Sequence, residues 1–400
     1  MISWISVSPY PEAAPGIIKG EGGDLTHVSN GRRNCFGRWI GEYKNITEGR
    51  SYQFTVNCRP QDIRNEFTNM HALLTWKDAG GADIQRDYID RCNTASGVRF
   101  SRKLPAPEGA AAVSAELCFK WSDTGRVTWS DMAFSEAAQA SPRIVRVAAA
   151  FTALPGGKED NLKAVLDAVD YAASQTKPDI LCLSEAQLTV GSPFFESAVN
   201  VGGPEITRIG DKAKRYNTHI VVGLSLKEDG FYRNAALLFG RSGEVLGIYR
   251  KIHLPLAEAE SGYTPGDEFG VFDTDFGRIG LMICWDQTYP ELSRRLTEKG
   301  AEILFNPTFG NSLPQARARA MDNGVFMVVS GVPRDAEPCY IIDPFGDVVA
   351  SCKSGGTLKQ GFCSADLELD RQYKTIWHSV GNCYGEHRPV NANERRSDIL

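Results

Sequence analysis

The 400-residue chain contains no long apolar run, no basic cluster and no closely spaced pair of cysteines. No stretch approaches the ~20 apolar residues that a membrane-spanning helix needs, so no membrane partner is expected. The formal net charge is −5, and no local run of Lys and Arg offsets it. A general nucleic-acid binder needs a basic face to displace counterions, so that class is excluded. The N-terminus, MISWISVSPYPEAAPG, has neither a basic start nor a continuous apolar segment after it. It does not read as a signal peptide, and a cytoplasmic location is the expectation. The ten cysteines, from Cys35 to Cys383, occur singly and never as C-x-x-C. That scatter disfavours a zinc ribbon or a thioredoxin-like motif. Buried reduced thiols are the plain reading of most of them, so a functional cysteine has to be set apart by its surroundings.

What is present reads as two domains. The length exceeds one ordinary hydrophobic core, and 42% apolar with 23% charged residues is globular composition. Up to about Ser141, short apolar and aromatic runs alternate with turns, as in Tyr52–Val56, Ala72–Trp76, Ala112–Cys118 and Val127–Trp129. Period-2 alternation with intervening Gly and Pro predicts an antiparallel β-sandwich over residues 1–141. The Ala- and Ser-rich segment Ser135–Pro142 reads as the linker. From Arg143 onward, over residues 142–400, strands alternate with helices. Ile144–Ala150 and Asp179–Ser184 read as strands, whereas Leu162, Val165, Leu166 and Val169 fall on one helical face. Ala235–Phe239 and Val245–Tyr249 flank a hairpin turn, and Phe276–Cys284 is a further strand. This is the pattern of an α/β domain with a mixed sheet.

Three residues at strand ends carry complementary chemistry. Glu185 follows the strand DILCLS, Lys251 follows Val245–Tyr249, and Cys284 closes RIGLMI. Open α/β sheets place ligand sites at such ends. A thiol becomes a strong nucleophile when a nearby carboxylate takes its proton. Attack on an amide carbonyl creates an oxyanion, which the Lys251 ammonium and the backbone N–H of Trp285 would stabilise. Glu185 would then return the proton to the leaving amine. Taken singly, each residue has a duller explanation: a cysteine filling a core, or a Glu and a Lys at solvated strand ends. Spacing alone does not bring them together.

At these residues the sequence resembles the nitrilase, or carbon–nitrogen hydrolase, superfamily. Four blocks run in family order: LCLSEAQ around Glu185, YRKIHLP around Lys251, GRIGLMICWDQTYPE around Cys284, and GAEILFNPT after it. The resemblance covers about Arg143 to Asp370. It implies an αββα four-layer sandwich assembled into homo-oligomers, with no metal or organic cofactor. It also implies Glu185 as general base and acid, Lys251 as oxyanion stabiliser and Cys284 as the acylated nucleophile. A second, structural glutamate follows the lysine in the family; Glu258 and Glu260 compete for the role, and Glu258 is preferred from its offset to Lys251. True nitrilases look like Cys-Trp-Glu, whereas this chain has Cys284-Trp285-Asp286. That favours a small amide or ureido (N-carbamoyl) substrate over a nitrile. Acyl transfer to an amine or alcohol is an alternative on the same site. A catalytically silent scaffold is the alternative of another class, disfavoured by the intact trio. Asn306–Asn311 is expected to line the pocket, His253 to pack beside Lys251, and His378 and His387 receive no role.

The N-terminal region resembles carbohydrate-binding jelly rolls, through Trp39, Gly49–Phe54, Leu74–Asp78 and Val127–Asp131. Trp39, Trp76, Trp121 and Trp129 would form a stacking platform for sugar rings. The competing expectation places most of them in the core, where tryptophan is largely buried.

Overall fold

The computed structural model describes residues 2–94, 97–139, 141–310, 312–354, 358–377 and 383–386. Asn311, His378 and His387 fall outside these. The chain divides into two compact units, one built on Met1–Ser141 and the other on Pro142–Arg371.

Among the described residues the first unit is a sandwich of a seven-stranded and a six-stranded sheet, antiparallel apart from one strand pair. Alternation decides which side chains meet between them. In Phe36–Lys44, Gly37, Trp39 and Gly41 are buried while their neighbours are more exposed. Trp39, Phe54, Val56, Trp76, Leu117 and Trp129 share one hydrophobic core. Trp39, Trp76 and Trp129 have no exposed surface, which removes three of the four tryptophans from the expected platform. Trp121 alone of the four is exposed, at φ +57 in the turn after Ala112–Lys120, with the Lys120 ammonium 4.3 Å from its ring centre.

The domain boundary expected from sequence needs one correction. Sequence pattern alone places the tail from Gln372 with the α/β domain, yet its strands Lys374–Trp377 and Cys383–Glu386 join the seven-stranded sheet of the first unit. Cys383–Glu386 pairs in parallel with Asp83–Tyr88, in the register Tyr384 opposite Gln85. Backbone pairing at an open sheet edge satisfies polar groups regardless of distance along the chain.

Among the described residues the second unit holds two six-stranded sheets. Across the first, the order is Val245–Arg250, Phe231–Phe239, His219–Glu228, Ile180–Cys182, Ile144–Thr152 and Gln360–Glu368. The three strands Ile144–Thr152, Ile180–Cys182 and His219–Glu228 are parallel neighbours. In the second sheet, Arg278–Leu281, Ile303–Pro307 and Phe326–Ser330 form the parallel centre. These central strands are almost wholly buried, which is why they read as continuous apolar runs rather than alternating ones. Helices Lys158–Thr176 and Pro204–Tyr216 pack Leu162, Val169, Ile209 and Ala213 onto the first sheet. Pro290–Glu298 and Leu313–Asn323 lie on the second, and the two sheets contact each other through their central strands. The layers therefore run helices, sheet, sheet, helices. Among the described residues no helix is long and apolar enough to cross a membrane.

His27 gives the first unit a pH response. Its ring is fully buried, stacked 5.1 Å from Trp39 and 3.1 Å from the Ser6 hydroxyl. Burial lowers its pKa from 6.5 to about 3. The neutral ring therefore supports folding fully above pH 6.5, and this support is lost as pH falls from there toward 3. At pH 5 the loss is about 2 kcal/mol. Urea melts at pH 7 and pH 5 should show a smaller acid destabilisation in His27→Gln than in the wild type; equal losses would refute the assignment.

Candidate active site

Cys284 sits where the strand Arg278–Leu281 gives way to the short 3-10 turn Cys284–Thr288. Its backbone is left-handed at φ +47, an uncommon state for a residue with a side chain. Asp286, with no exposed surface, holds this turn. Its Oδ2 accepts the Ile283 N–H at 2.9 Å and the Tyr249 hydroxyl at 2.7 Å. Its Oδ1 accepts the His253 backbone N–H at 3.0 Å and lies 2.9 Å from His253 Nδ1. One carboxylate thus ties the cysteine turn to Tyr249 and His253, the two residues that flank Lys251 at a spacing of two. His253 also stacks on Tyr289 at 4.1 Å, so its ring is engaged in packing.

Lys251 projects from the end of Val245–Arg250 into the interior, and its side chain has no exposed surface. Its ammonium donates to Glu185 Oε1 at 2.9 Å and to Glu258 Oε1 at 2.6 Å. Burial alone would lower the lysine pKa, but the fields of Glu185, Cys284 and Glu258 outweigh it and push it up. Glu258 comes from the short helix Leu256–Ser261 and is half-buried, whereas Glu260 is exposed. Burial, followed by the neighbouring Glu185 charge, raises the Glu258 pKa against the pull of Lys251.

Glu185 accepts three hydrogen bonds. Besides Lys251, Asn234 Nδ2 donates to its Oε1 at 2.7 Å, and the Phe309 N–H donates to its Oε2 at 2.8 Å. Asn234 Nδ2 also reaches Glu258 Oε2 at 3.1 Å, so one amide spans both carboxylates. Nothing in the local sequence pattern predicts a site role for Asn234. The only trace is a lone polar side chain opening the buried run Ala235–Phe239, which argues for a specific partner. Glycine at position 223 makes room for the loop: a Cβ there would lie 2.5 Å from the Glu185 Cα. The next residue, Ala186, is also left-handed, at φ +53.

The Cys284 sulfur meets the loop after Ile303–Pro307, with Sγ 3.8 Å from the Gly310 carbonyl oxygen. Burial first, then the Glu185 charge, pushes the thiol pKa up to about 11, while Lys251, Thr308 and the Phe309 backbone pull the other way. Six of the eight free cysteines with described side chains are buried; Cys284 and Cys352 remain partly accessible. Of these two, Cys284 alone feels both Glu185 and Lys251. Glu185, Lys251, Glu258 and Cys284 therefore converge, with Phe309 touching both the carboxylate and the sulfur. Trp285 follows in the turn with its side chain exposed. Of the expected lining segment, Thr308 to Gly310 face the thiol, whereas Asn306 is fully buried and donates to Gln287 Oε1 at 2.8 Å.

Residues 144–375 match the family model described as carbon–nitrogen hydrolase. Omega-amidase NIT2 of Xenopus tropicalis is 31% identical over 239 residues, covering 53% of this chain and 84% of that protein. Omega-amidase NIT2 of Homo sapiens is 29% identical over 239 residues, covering 54% and 85%. Among solved structures, an amidase from Nesterenkonia sp. matches with a TM-score of 0.52 at 19% identity, over 65% of this chain and 96% of that one. Nit3 of Saccharomyces cerevisiae, a member of branch 10 of the nitrilase superfamily, matches with a TM-score of 0.50 at 23% identity, over 57% and 93%. The two solved structures share the fold.

The opposing charges at the sulfur make an observable prediction. Glu185→Gln removes the carboxylate that raises the thiol pKa and leaves Lys251, which lowers it. The pH profile of iodoacetamide alkylation at Cys284, followed by peptide mass spectrometry, should move to lower pH in this variant. A profile unmoved by Glu185→Gln would place the carboxylate outside electrostatic reach of the sulfur.

Proposed function

This chain belongs to the carbon–nitrogen hydrolase family, and we propose that it hydrolyses small non-peptide amides through a thioester on Cys284. The observation that carries the reading is the shared contact set: Lys251 on Glu185, Phe309 on Glu185, and Cys284 against the same loop. The omega-amidase names of its relatives and the amidase name of a fold neighbour agree with an amide as substrate.

In this mechanism Glu185 takes the Cys284 proton as the sulfur attacks the amide carbon. An S–C bond forms, and the carbonyl π electrons move to oxygen. Lys251 Nζ and the Trp285 N–H stabilise that oxyanion. The tetrahedral species collapses, the C–N bond breaks, and Glu185 delivers its proton to the departing nitrogen. Water then attacks the thioester, giving its proton to Glu185, and the acid leaves as the thiol is restored. Glu258 and Asn234 act by positioning: they hold Lys251 and Glu185 at fixed separation, which limits the geometric error that lowers rates steeply.

The high thiol pKa suits a sulfur that loses its proton only as it attacks. A free thiolate would be exposed to oxidants between turnovers. Glu185 within the same pocket lets deprotonation and attack proceed together.

Ammonia release from an amide panel tests the reading, together with intact-mass detection of an acyl adduct. Cys284→Ala should abolish both, and retained turnover would remove the nucleophile from the scheme. Lys251→Met should lower kcat by about 10²–10³ through the lost oxyanion donor. The same change leaves two carboxylates facing each other around a missing cation, so it should also destabilise the fold by about 3–5 kcal/mol. Wild-type-like melting and turnover in Lys251→Met would contradict both roles.

A further inference from the structure

We propose that the Ser184 and Ser330 hydroxyls pin the register between the two sheets of the second unit, and that both are positioning residues acting through Glu185. The inference rests on the hydrolase reading above and deepens it by naming what keeps base and nucleophile in line.

The reacting groups come from different sheets. Glu185, Asn234 and Lys251 belong to the first, on or just after Ile180–Cys182, Phe231–Phe239 and Val245–Arg250. Cys284 and Phe309 belong to the second, just after Arg278–Leu281 and Ile303–Pro307. Glu185 bridges the two: Asn234 and Lys251 hold its Oε1, and the Phe309 N–H holds its Oε2. A slide of one sheet over the other would therefore change the separation of Glu185 and Cys284 directly.

Apolar packing does little to prevent such a slide. Ala149, Cys182 and Val221 form a row across the first sheet on the face away from its helices, all without exposed surface. Burial of such surface is non-directional, so it sets the spacing of the layers rather than their register. Ser184 and Ser330 add direction at this interface, and both are buried. Each hydroxyl carries one proton to donate. Ser184, from the first sheet, donates to the Gly331 carbonyl, which follows the second-sheet strand Phe326–Ser330. Ser330 donates in the opposite direction, to the Ala150 carbonyl of the first sheet at 2.6 Å, and the two hydroxyl oxygens stand 3.3 Å apart. A slide would break both bonds and leave buried polar groups unmet, which opposes it. Both ends of this link reach the site at once. Ser184 directly precedes Glu185, and the Ser330 carbonyl accepts the N–H of Thr308, the neighbour of Phe309, at 2.8 Å.

The experiment combines turnover with alkylation of the nucleophile. On an amide that the wild type hydrolyses, Ser184→Ala and Ser330→Ala should each lower kcat by about tenfold and leave KM within about twofold, because alignment is lost while binding groups remain. Both should also move the pH profile of iodoacetamide alkylation at Cys284 in the direction of Glu185→Gln, and by less. In a Glu185→Gln background, Ser184→Ala should add no further shift, since its effect runs through that carboxylate. Ser293→Ala is the control: it removes a buried hydroxyl that donates to the Pro290 carbonyl at 3.0 Å on the helix Pro290–Glu298, and kcat and profile should stay at wild-type values. Wild-type kcat and profile in both Ser184→Ala and Ser330→Ala would overturn the inference. So would a Ser184→Ala shift that persists in full without Glu185, or an equal loss in Ser293→Ala. The two serines come from opposite sheets, so if one variant fails to fold the other still decides. Alkylation needs no turnover, which separates the two readings. No ammonia release and no acyl adduct from the wild type on any amide would overturn the hydrolase reading, whereas the alkylation profiles would still test whether the serines position Glu185 against the sulfur.

Discussion

One buried ammonium holds the site together. Lys251 has no solvent contact, and its charge is balanced by Glu185 and Glu258 at 2.9 and 2.6 Å. Removing a lysine from water costs several kcal/mol, which only close, well-oriented carboxylates offset. The arrangement is therefore conditional: the strand end carrying Lys251, the loop after Ile180–Cys182 and the helix Leu256–Ser261 must all be in place at once. That condition fixes the separation of the three charged groups more tightly than any loop conformation could by itself.

A second carboxylate, Asp286, performs the same service for the sulfur. It gathers the Ile283 amide, the Tyr249 hydroxyl, the His253 backbone N–H and the His253 ring at Nδ1. With it in place, the Cys284 turn and the Lys251 segment cannot shift independently. The two left-handed residues, Ala186 and Cys284, stand beside or at the reacting groups. Non-glycine residues remain in such conformations when their surroundings over-determine them, and here hydrogen bonds and close packing do so. Gly223 belongs to the same arrangement, because any side chain there would push the Glu185 backbone outward.

The sandwich unit is organised differently. Its tryptophans serve the core, with Trp76 Nε1 donating to the buried Asp87 carboxylate at 2.7 Å. A β-sandwich between two sheets must fill a thick interior, and large aromatic side chains do this with few residues. Aromatic content is thus explained by packing, with Trp121 the exposed exception among the four considered.

Residue identity and order were legible along the chain. Glu185, Lys251 and Cys284 each follow a strand recognisable from its apolar run, and the change from period-2 alternation to alternating strands and helices near residue 142 was equally visible. Those features are local, so local patterns report them. The offset from Lys251 favours Glu258 over Glu260, but both lie within a turn of each other and only the docking of a short helix brings Glu258 to Lys251. The sequence does not single out Asn234, an ordinary asparagine until two distant carboxylates close around it. The helix Leu313–Asn323 has only its Pro314 start and Gly324 stop to mark it locally, and the pairing of the tail strands with the seven-stranded sheet leaves no local mark at all. Burial of the tryptophans and convergence of the charged trio depend on sheet order and register. These bring together atoms that chain spacing leaves unrelated, and for that physical reason they belonged to the tertiary structure alone.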